Sequence, residues 1–155
     1  MGSSGGQMGN KDFIGSYNYS VDKRYRVKLP SNILQKIEDD SLILSKGEQR
    51  CVVVYTHDAW DKFYGERKKK ALQDDKFRRY LRFKFASASE INIDNQGRIR
   101  IPRELIDYCK IDGQVTIVGF GDTLELWNPD KMEEEIKTVE KEKEQLLKYI
   151  NKESS

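Results

Sequence analysis

The side chains best suited to chemistry in this chain occur in two short segments that repeat one another. Asp22-Lys-Arg-Tyr-Arg26-Val-Lys-Leu-Pro30 and Asp94-Asn-Gln-Gly-Arg98-Ile-Arg-Ile-Pro102 share Asp, Arg and Pro at a constant offset of 72 residues. A guanidinium can fork onto a phosphate or onto the O6/N7 edge of guanine. In an extended strand, Arg26 and Lys28 stand two residues apart on one face, as do Arg98 and Arg100, and Arg24 lies close by. Asp22 and Asp94 have two roles open to them: orienting the guanidinium, or bracing the turn by accepting backbone N–H bonds. A single Asp-x-x-x-Arg is most simply an exposed ion pair contributing about 0–1 kcal/mol. Recurrence, each time followed by x-[basic]-x-Pro, makes a binding surface for a polyanion the better reading.

Catalytic chemistry is poorly represented. His57 is the single histidine and reads as an exposed residue at a helix start. No serine sits in a G-x-S-x-G setting, and no H-E-x-x-H, C-x-x-C or aspartate cluster offers a metal site. Gly119-Phe-Gly121 reads as a hairpin turn rather than a phosphate loop. The expectation is a non-enzyme without cofactor or metal. Cys51 and Cys109 lie far apart and read as reduced packing residues of a cytosolic protein. No apolar run approaches the roughly 18–20 residues of a membrane span. The 155 residues are 37% hydrophobic and 35% charged, which fits a soluble globular chain. The net charge of +2 conceals a basic centre between Asp61 and Lys84, including Arg67-Lys-Lys-Lys70, and a more acidic tail.

The elements that must position these side chains follow from periodicity. Ile91, Ile93, Ile99 and Ile101 share one parity, and Asn92, Asp94, Arg98 and Arg100 the other, so one face of a strand-turn-strand is buried and the other wet. Val21, Val27 and Leu29 repeat the inward set. Gly97 suits a turn residue with positive φ; Tyr25 stands in its place in the first copy, so that turn is expected to differ in shape. After each Pro comes a short helical stretch, then a second hairpin: 42–44 with 51–55, and 115–118 with 124–127. Thr56 and Asn128 are plausible N-caps.

The expected organisation is a tag over residues 1–11, a first repeat over 12–60, a basic helical connector over 61–84, a second repeat over 85–128 and an amphipathic helix with a frayed end over 129–155. Neither repeat can cover its own strand edges. The expected fold is therefore mainly β with peripheral helices (α+β), its two pseudo-symmetric halves interleaved into one closed barrel. The terminal helix carries Met132, Ile136, Val139, Lys143, Leu146 and Ile150 at 4-3-4-3-4 spacing, a narrow seam for packing on its own domain or on a neighbouring subunit.

On the opening Phe13-Ile-Gly-Ser-Tyr-Asn18, both Asp-x-x-x-Arg segments, Phe85-Ala-Ser-Ala88 and Gly119-Phe-Gly-Asp-x-Leu-Glu-Leu-Trp127, the chain resembles the MraZ family, related to the AbrB/SpoVT swapped-hairpin DNA-binding proteins. The resemblance covers roughly Asp12 to Glu135. It implies two swapped-hairpin half-barrels per subunit and closed rings of subunits. It also implies binding to direct repeats in duplex DNA, in the chain's own promoter upstream of the division and cell-wall genes, hence a cytoplasmic, nucleoid-associated regulator. Carried over, it designates Asp22 with Arg26 and Asp94 with Arg98 as DNA-reading residues; Arg24, Lys28 and Arg100 are added as flanking contacts. If the second hairpin faces a subunit interface instead, Asp94 and Arg98 would be structural. The rival expectation is a ring-shaped scaffold that recruits proteins without sequence-specific DNA binding. RNA binding is a further alternative, but the aromatics fall at helical spacing and read as core.

Overall fold

The computed structural model describes residues 12–154, with the side chains described through Glu153; the segment read as a tag lies outside them. The element order is β1 (Ser16–Ser20), β2 (Arg26–Lys28), α1 (Ser31–Leu34), β3 (Ser41–Lys46), β4 (Val52–Tyr55), α2 (His57–Gln73), α3 (Asp75–Ala86), β5 (Ser89–Asn92), β6 (Arg98–Arg100), α4 (Arg103–Cys109), β7 (Gln114–Phe120), β8 (Thr123–Trp127) and α5 (Pro129–Ser154). The strand pairs are antiparallel and form a six-stranded sheet, β1-β7-β8-β4-β3-β5, and a separate ribbon, β2-β6. The architecture is α+β. Strands build the core, but α2, α3 and α5 hold 17, 12 and 26 residues, so helix outweighs strand and "mainly β" describes only the centre.

The sheet order is a palindrome under exchange of the two repeats: β1 corresponds to β5, β7 to β3 and β8 to β4. Each repeat therefore pairs its first strand with the other's second hairpin, and the two are interleaved rather than side by side. This disposes of edges that one repeat alone would leave open. The ribbon obeys the same symmetry, with Val27 opposite Ile99 at its centre.

One sheet face and the inner face of the ribbon close on a single core. Val27, Leu29, Ile99 and Ile101 are fully buried against Leu42, Leu44, Val115 and Ile117, each such side chain contributing about 1.5–3 kcal/mol. The other face holds Ile43 and Tyr55, with Ala59, Trp60 and Phe63 of α2 packed on them. Thr56 Oγ1 accepts from Ala59 N at 3.1 Å, and Asn128 Oδ1 accepts from Asp130 N at 2.8 Å, so both expected caps start their helices. Asp74 separates α2 from α3: its Oδ1 accepts from Lys76 N and Phe77 N, a cap that ends one helix and begins the next.

Lys84 departs from the surface role the basic connector suggests. It is 1% exposed, donates from Nζ to Lys46 O at 2.7 Å, and lies over the rings of Tyr55 and Phe63. Burial depresses its pKa. Cys51 and Cys109 are free and buried, their thiols pushed up to about 12 chiefly by desolvation. No helix among the described residues is long and apolar enough to cross a membrane.

Candidate nucleic-acid interface

The two Asp-x-x-x-Arg segments fold into turns with the same hydrogen-bond pattern. Asp22 Oδ1 accepts from the backbone N–H groups of Arg24 and Arg26, both at 2.9 Å, and Oδ2 accepts from Arg26 Nε at 2.8 Å. Asp94 does the same with Gln96 N, Arg98 N and Arg98 Nε at 2.9, 2.9 and 2.8 Å. Both roles considered for the carboxylate are thus fulfilled at once. Each carboxyl is held below its ordinary pKa, first by the backbone hydrogen bond from the Arg four residues on. Backbone bonds seal each turn: Asp22 N to Arg26 O, and Asp94 N to Arg98 O.

The first turn does not differ in shape as its sequence suggested. Tyr25 occupies the left-handed region at φ 62, beside Gly97 at φ 76. A non-glycine residue there is disfavoured by roughly 1–2 kcal/mol, which the ribbon offsets: Tyr25 O accepts from Ile101 N at 2.8 Å, as Gly97 O accepts from Leu29 N at 2.9 Å. Arg103 also lies over the Tyr25 ring, 5.6 Å from its centroid. Gly97 has a second constraint, since a Cβ there would come 2.6 Å from Leu34 Cδ2.

The ribbon joins the turns into one surface. Its register places Arg26 opposite Arg100 and Lys28 opposite Arg98, so two cross-strand pairs of like charge share the outward face. Such pairs are intrinsically destabilising, and an anion laid across them removes the repulsion. The Arg26 and Arg98 side chains are each 27% exposed. Their Nε atoms are engaged by Asp, and among the described residues no acceptor binds their Nη atoms. Each guanidinium is therefore aimed by its own carboxylate with its fork left free.

The ends of the ribbon are unequal. Near the first turn gather Lys23, Arg24, Arg26 and Arg100; near the second are Arg98 and Lys28, whose Nζ donates to Gln96 O at 2.9 Å. All the basic residues named from the sequence on this surface, Arg24, Arg26, Lys28, Arg98 and Arg100, are brought together with Asp22 and Asp94. Lys23, which with Arg24 gives the first turn two basic residues that the second lacks, sits in the exposed tip of that turn.

His57 forms a different cluster. Ser41 Oγ lies 2.9 Å from His57 Nε2 and donates to Glu90 Oε2 at 2.7 Å, while the same Nε2 is 3.4 Å from Glu90. Serine and acid thus share one ring nitrogen, whereas a proton relay uses the two ring nitrogens for different partners. His57 N donates to Asp39, and the cluster ties β3, β5 and the start of α2 together. No group of three or more His, Cys, Asp or Glu with metal-holding geometry occurs among the described residues.

Comparison with known proteins agrees with the duplicated architecture. Residues 13–83 and 84–148 each match the protein family described as "MraZ protein, putative antitoxin-like". The chain is 37% identical over 119 residues to a protein named transcriptional regulator MraZ from Alkaliphilus metalliredigens, covering 77% of this chain and 82% of that one. Proteins of the same name from Clostridium tetani and Clostridium acetobutylicum are 36% identical over 122 residues (79% and 85% covered) and 34% identical over 119 (77% and 83%). The matches span both repeats and the connector between them, and the chain belongs to the MraZ family.

Proposed function

We propose that this chain is a non-enzymatic, sequence-specific regulator of transcription that lays the β2–β6 ribbon in the major groove of duplex DNA. The observation that carries the reading is the pair of like-charge couples, Arg26/Arg100 and Lys28/Arg98, on the outward ribbon face, with two guanidiniums aimed by carboxylates at 2.8 Å. Along a strand, Arg26 and Lys28 stand about 6.6 Å apart, comparable to the axial rise of two base-pair steps of duplex DNA at about 3.4 Å each. A two-stranded ribbon also has the width that the groove admits. Relatives named transcriptional regulators point the same way.

In this reading the two repeats (12–60 and 85–128), the connector (61–84) and the tail (129–155) form one subunit in which ribbon and sheet close as a barrel. Subunits assemble as a ring, so that adjacent ribbons engage successive direct repeats and avidity compensates for the weakness of each module. The target is the chain's own promoter, ahead of the division and cell-wall genes, and the protein is cytoplasmic and nucleoid-associated. Arg26 is assigned base readout, with Arg24 and Lys28 beside it; Arg98, Arg100 and the aiming carboxylates Asp22 and Asp94 complete the surface.

The test is Arg26→Ala titrated by fluorescence anisotropy against a promoter duplex at two salt concentrations, with light scattering on the same samples. The expected result is loss of specific binding at unchanged assembly size. Undiminished affinity would remove Arg26 from readout. A protein-recruiting scaffold draws support from the long exposed α5, and absence of DNA retention even at low salt would favour it.

A further inference from the structure

Helices α2 and α3 form a hairpin that leaves a groove open along its length. The groove's floor is apolar: Ala71 and Leu81 are buried, while Leu72 and Phe85 are 61% and 37% exposed. Its charged rim is wholly basic, with Lys68 from α2 and Arg78 and Arg82 from α3, and no acid of either helix lines it. From Tyr64 to Leu72 the α2 wall runs about 12 Å, a little over two helical turns. The volume of about 240 Å³ is below the roughly 300–1,000 Å³ of a cavity that encloses a small-molecule ligand. It is the size for a few anchoring side chains.

The rim cations have no acid to answer them. Lys68 Nζ donates to Tyr64 Oη at 2.7 Å, which fixes the ammonium at the groove edge. Arg78 and Arg82 are four apart on α3, a like-charge spacing that destabilises a helix by itself. Among the described residues none of the three has a carboxylate partner. Lys69, Lys70 and Arg79 are exposed on the same hairpin and extend the positive field. The nearby acids are placed elsewhere: Glu66 lies 3.5 Å from Arg67, and Asp74 and Asp75 form the corner between the helices.

We propose that the α2–α3 groove docks an acidic amphipathic helix of a different protein, whose apolar anchors rest on Leu72 and Phe85 while its carboxylates meet Lys68, Arg78 and Arg82. Charge selects this occupant. The exposed stretch of α5, residues 136–153, carries five Lys against four Glu, so a second copy would bring net positive charge to a basic rim. Two grooves face to face would oppose arginine to arginine. Duplex DNA would satisfy the rim but set Leu72 and Phe85 against a polar backbone. An anionic membrane needs apolar side chains on a ridge, not in a groove, and would meet Asp74 and Asp75 at the corner. Helix α2 packs on the sheet face away from the core that the ribbon closes, so a helix in this groove and a duplex on the ribbon occupy different faces.

The test is a labelled helical peptide with leucines at i, i+3, i+4 and i+7 and glutamates elsewhere, titrated with the full chain by fluorescence anisotropy. Saturable binding is expected, weakened about tenfold or more by Arg78→Glu with Arg82→Glu and about threefold or more by Leu72→Ala. A peptide with lysines in place of the glutamates is expected to bind the charge-reversed variant and not the parent. Circular dichroism checks that the variants remain folded. No saturation of the parent chain up to about 1 mM peptide, or equal affinity for the two peptides, overturns the docking. So does glutamate-peptide binding that ignores the Arg78/Arg82 reversal. Loss of assembly mass on Leu72→Ala, read by light scattering, would show that a second copy covers the groove and overturns it as well. Release of the bound peptide by a duplex lacking direct repeats, or by phosphatidylserine vesicles, would assign the groove to that polyanion instead.

Discussion

Arg26→Lys separates what the guanidinium fork does from what its charge does. In the structure Arg26 Nε is held by Asp22 Oδ2 at 2.8 Å, which leaves the two Nη groups to grip a base edge or phosphate. Lysine keeps the positive charge but offers one ammonium on a flexible stem and no fork. A bidentate arginine contact to a base discriminates by about 1–3 kcal/mol, which at 1.4 kcal/mol per decade is roughly a 5- to 150-fold loss on a duplex carrying one repeat. On a duplex with two repeats engaged by adjacent subunits the losses multiply, to roughly 25-fold or more. The salt dependence is expected to stay where it was, because the number of cations is unchanged. Arg26→Ala should instead flatten the log-log slope by about 0.9 per ribbon if that cation also neutralises a phosphate. Anisotropy titrations on one-repeat and two-repeat duplexes, each at several salt concentrations, give all four quantities. If Arg26→Lys binds both duplexes as tightly as the parent, the fork is not used and the aiming by Asp22 has no bearing on recognition.

Other consequences are open to simpler measurement. Gly97→Ala places a Cβ 2.6 Å from Leu34 Cδ2 at a φ of 76, and should lower stability by about 1–3 kcal/mol in urea denaturation; an unchanged midpoint would mean the turn relaxes freely. Lys84→Ala removes a buried stem and leaves Lys46 O without its 2.7 Å donor, with an expected cost of about 2–5 kcal/mol, while Lys84→Met should cost less by refilling the space. On acidification, the lowered pKa of Asp22 and Asp94 means that the folded turns bind protons less readily than the unfolded chain. Their stabilising contribution is complete above the ordinary carboxylate range and lost as pH falls through the depressed folded values. The Arg26 and Arg98 Nε–H signals in NMR should therefore persist below pH 4 and vanish only at lower pH, whereas loss near the usual carboxylate value would contradict the bracing. Gly119→Ala would drive a Cβ into the backbone of Phe13 and Ile14, and should free the Phe13 segment to hydrogen exchange.

The repeat was legible in residue types because both copies need the same turn chemistry: an aspartate to collect three N–H groups and an arginine to lie along it. The seven basic and acidic residues of the ribbon surface follow from that turn and from strand parity. The interleaving was legible only in outline, since parity identifies a buried face but not which strand lies beside it. Two local accommodations left no clear signal. The Leu42/Leu44 positions of β3 correspond to Val115/Ile117 of β7 at an offset of 73, not 72, and the difference is undone in the hairpins: Phe120 pairs directly with Thr123, whereas Gly47 N bonds Cys51 O around three residues. The shape of the Tyr25 turn was misjudged from intrinsic backbone preference, which the ribbon hydrogen bonds override. Lys84 was counted with its solvated neighbours because charge in a sequence carries no sign of depth.

The unequal ends of the ribbon give the DNA reading an orientation. A perfectly two-fold ribbon would present the same face whichever way it was turned, and would suit a palindrome. Here one tip carries Lys23 and Arg24 where the other carries Asn95 and Gln96, so the duplicated unit has acquired a head and a tail. In the proposed ring, a reader with polarity repeated in one sense would be matched by operator words that all run the same way.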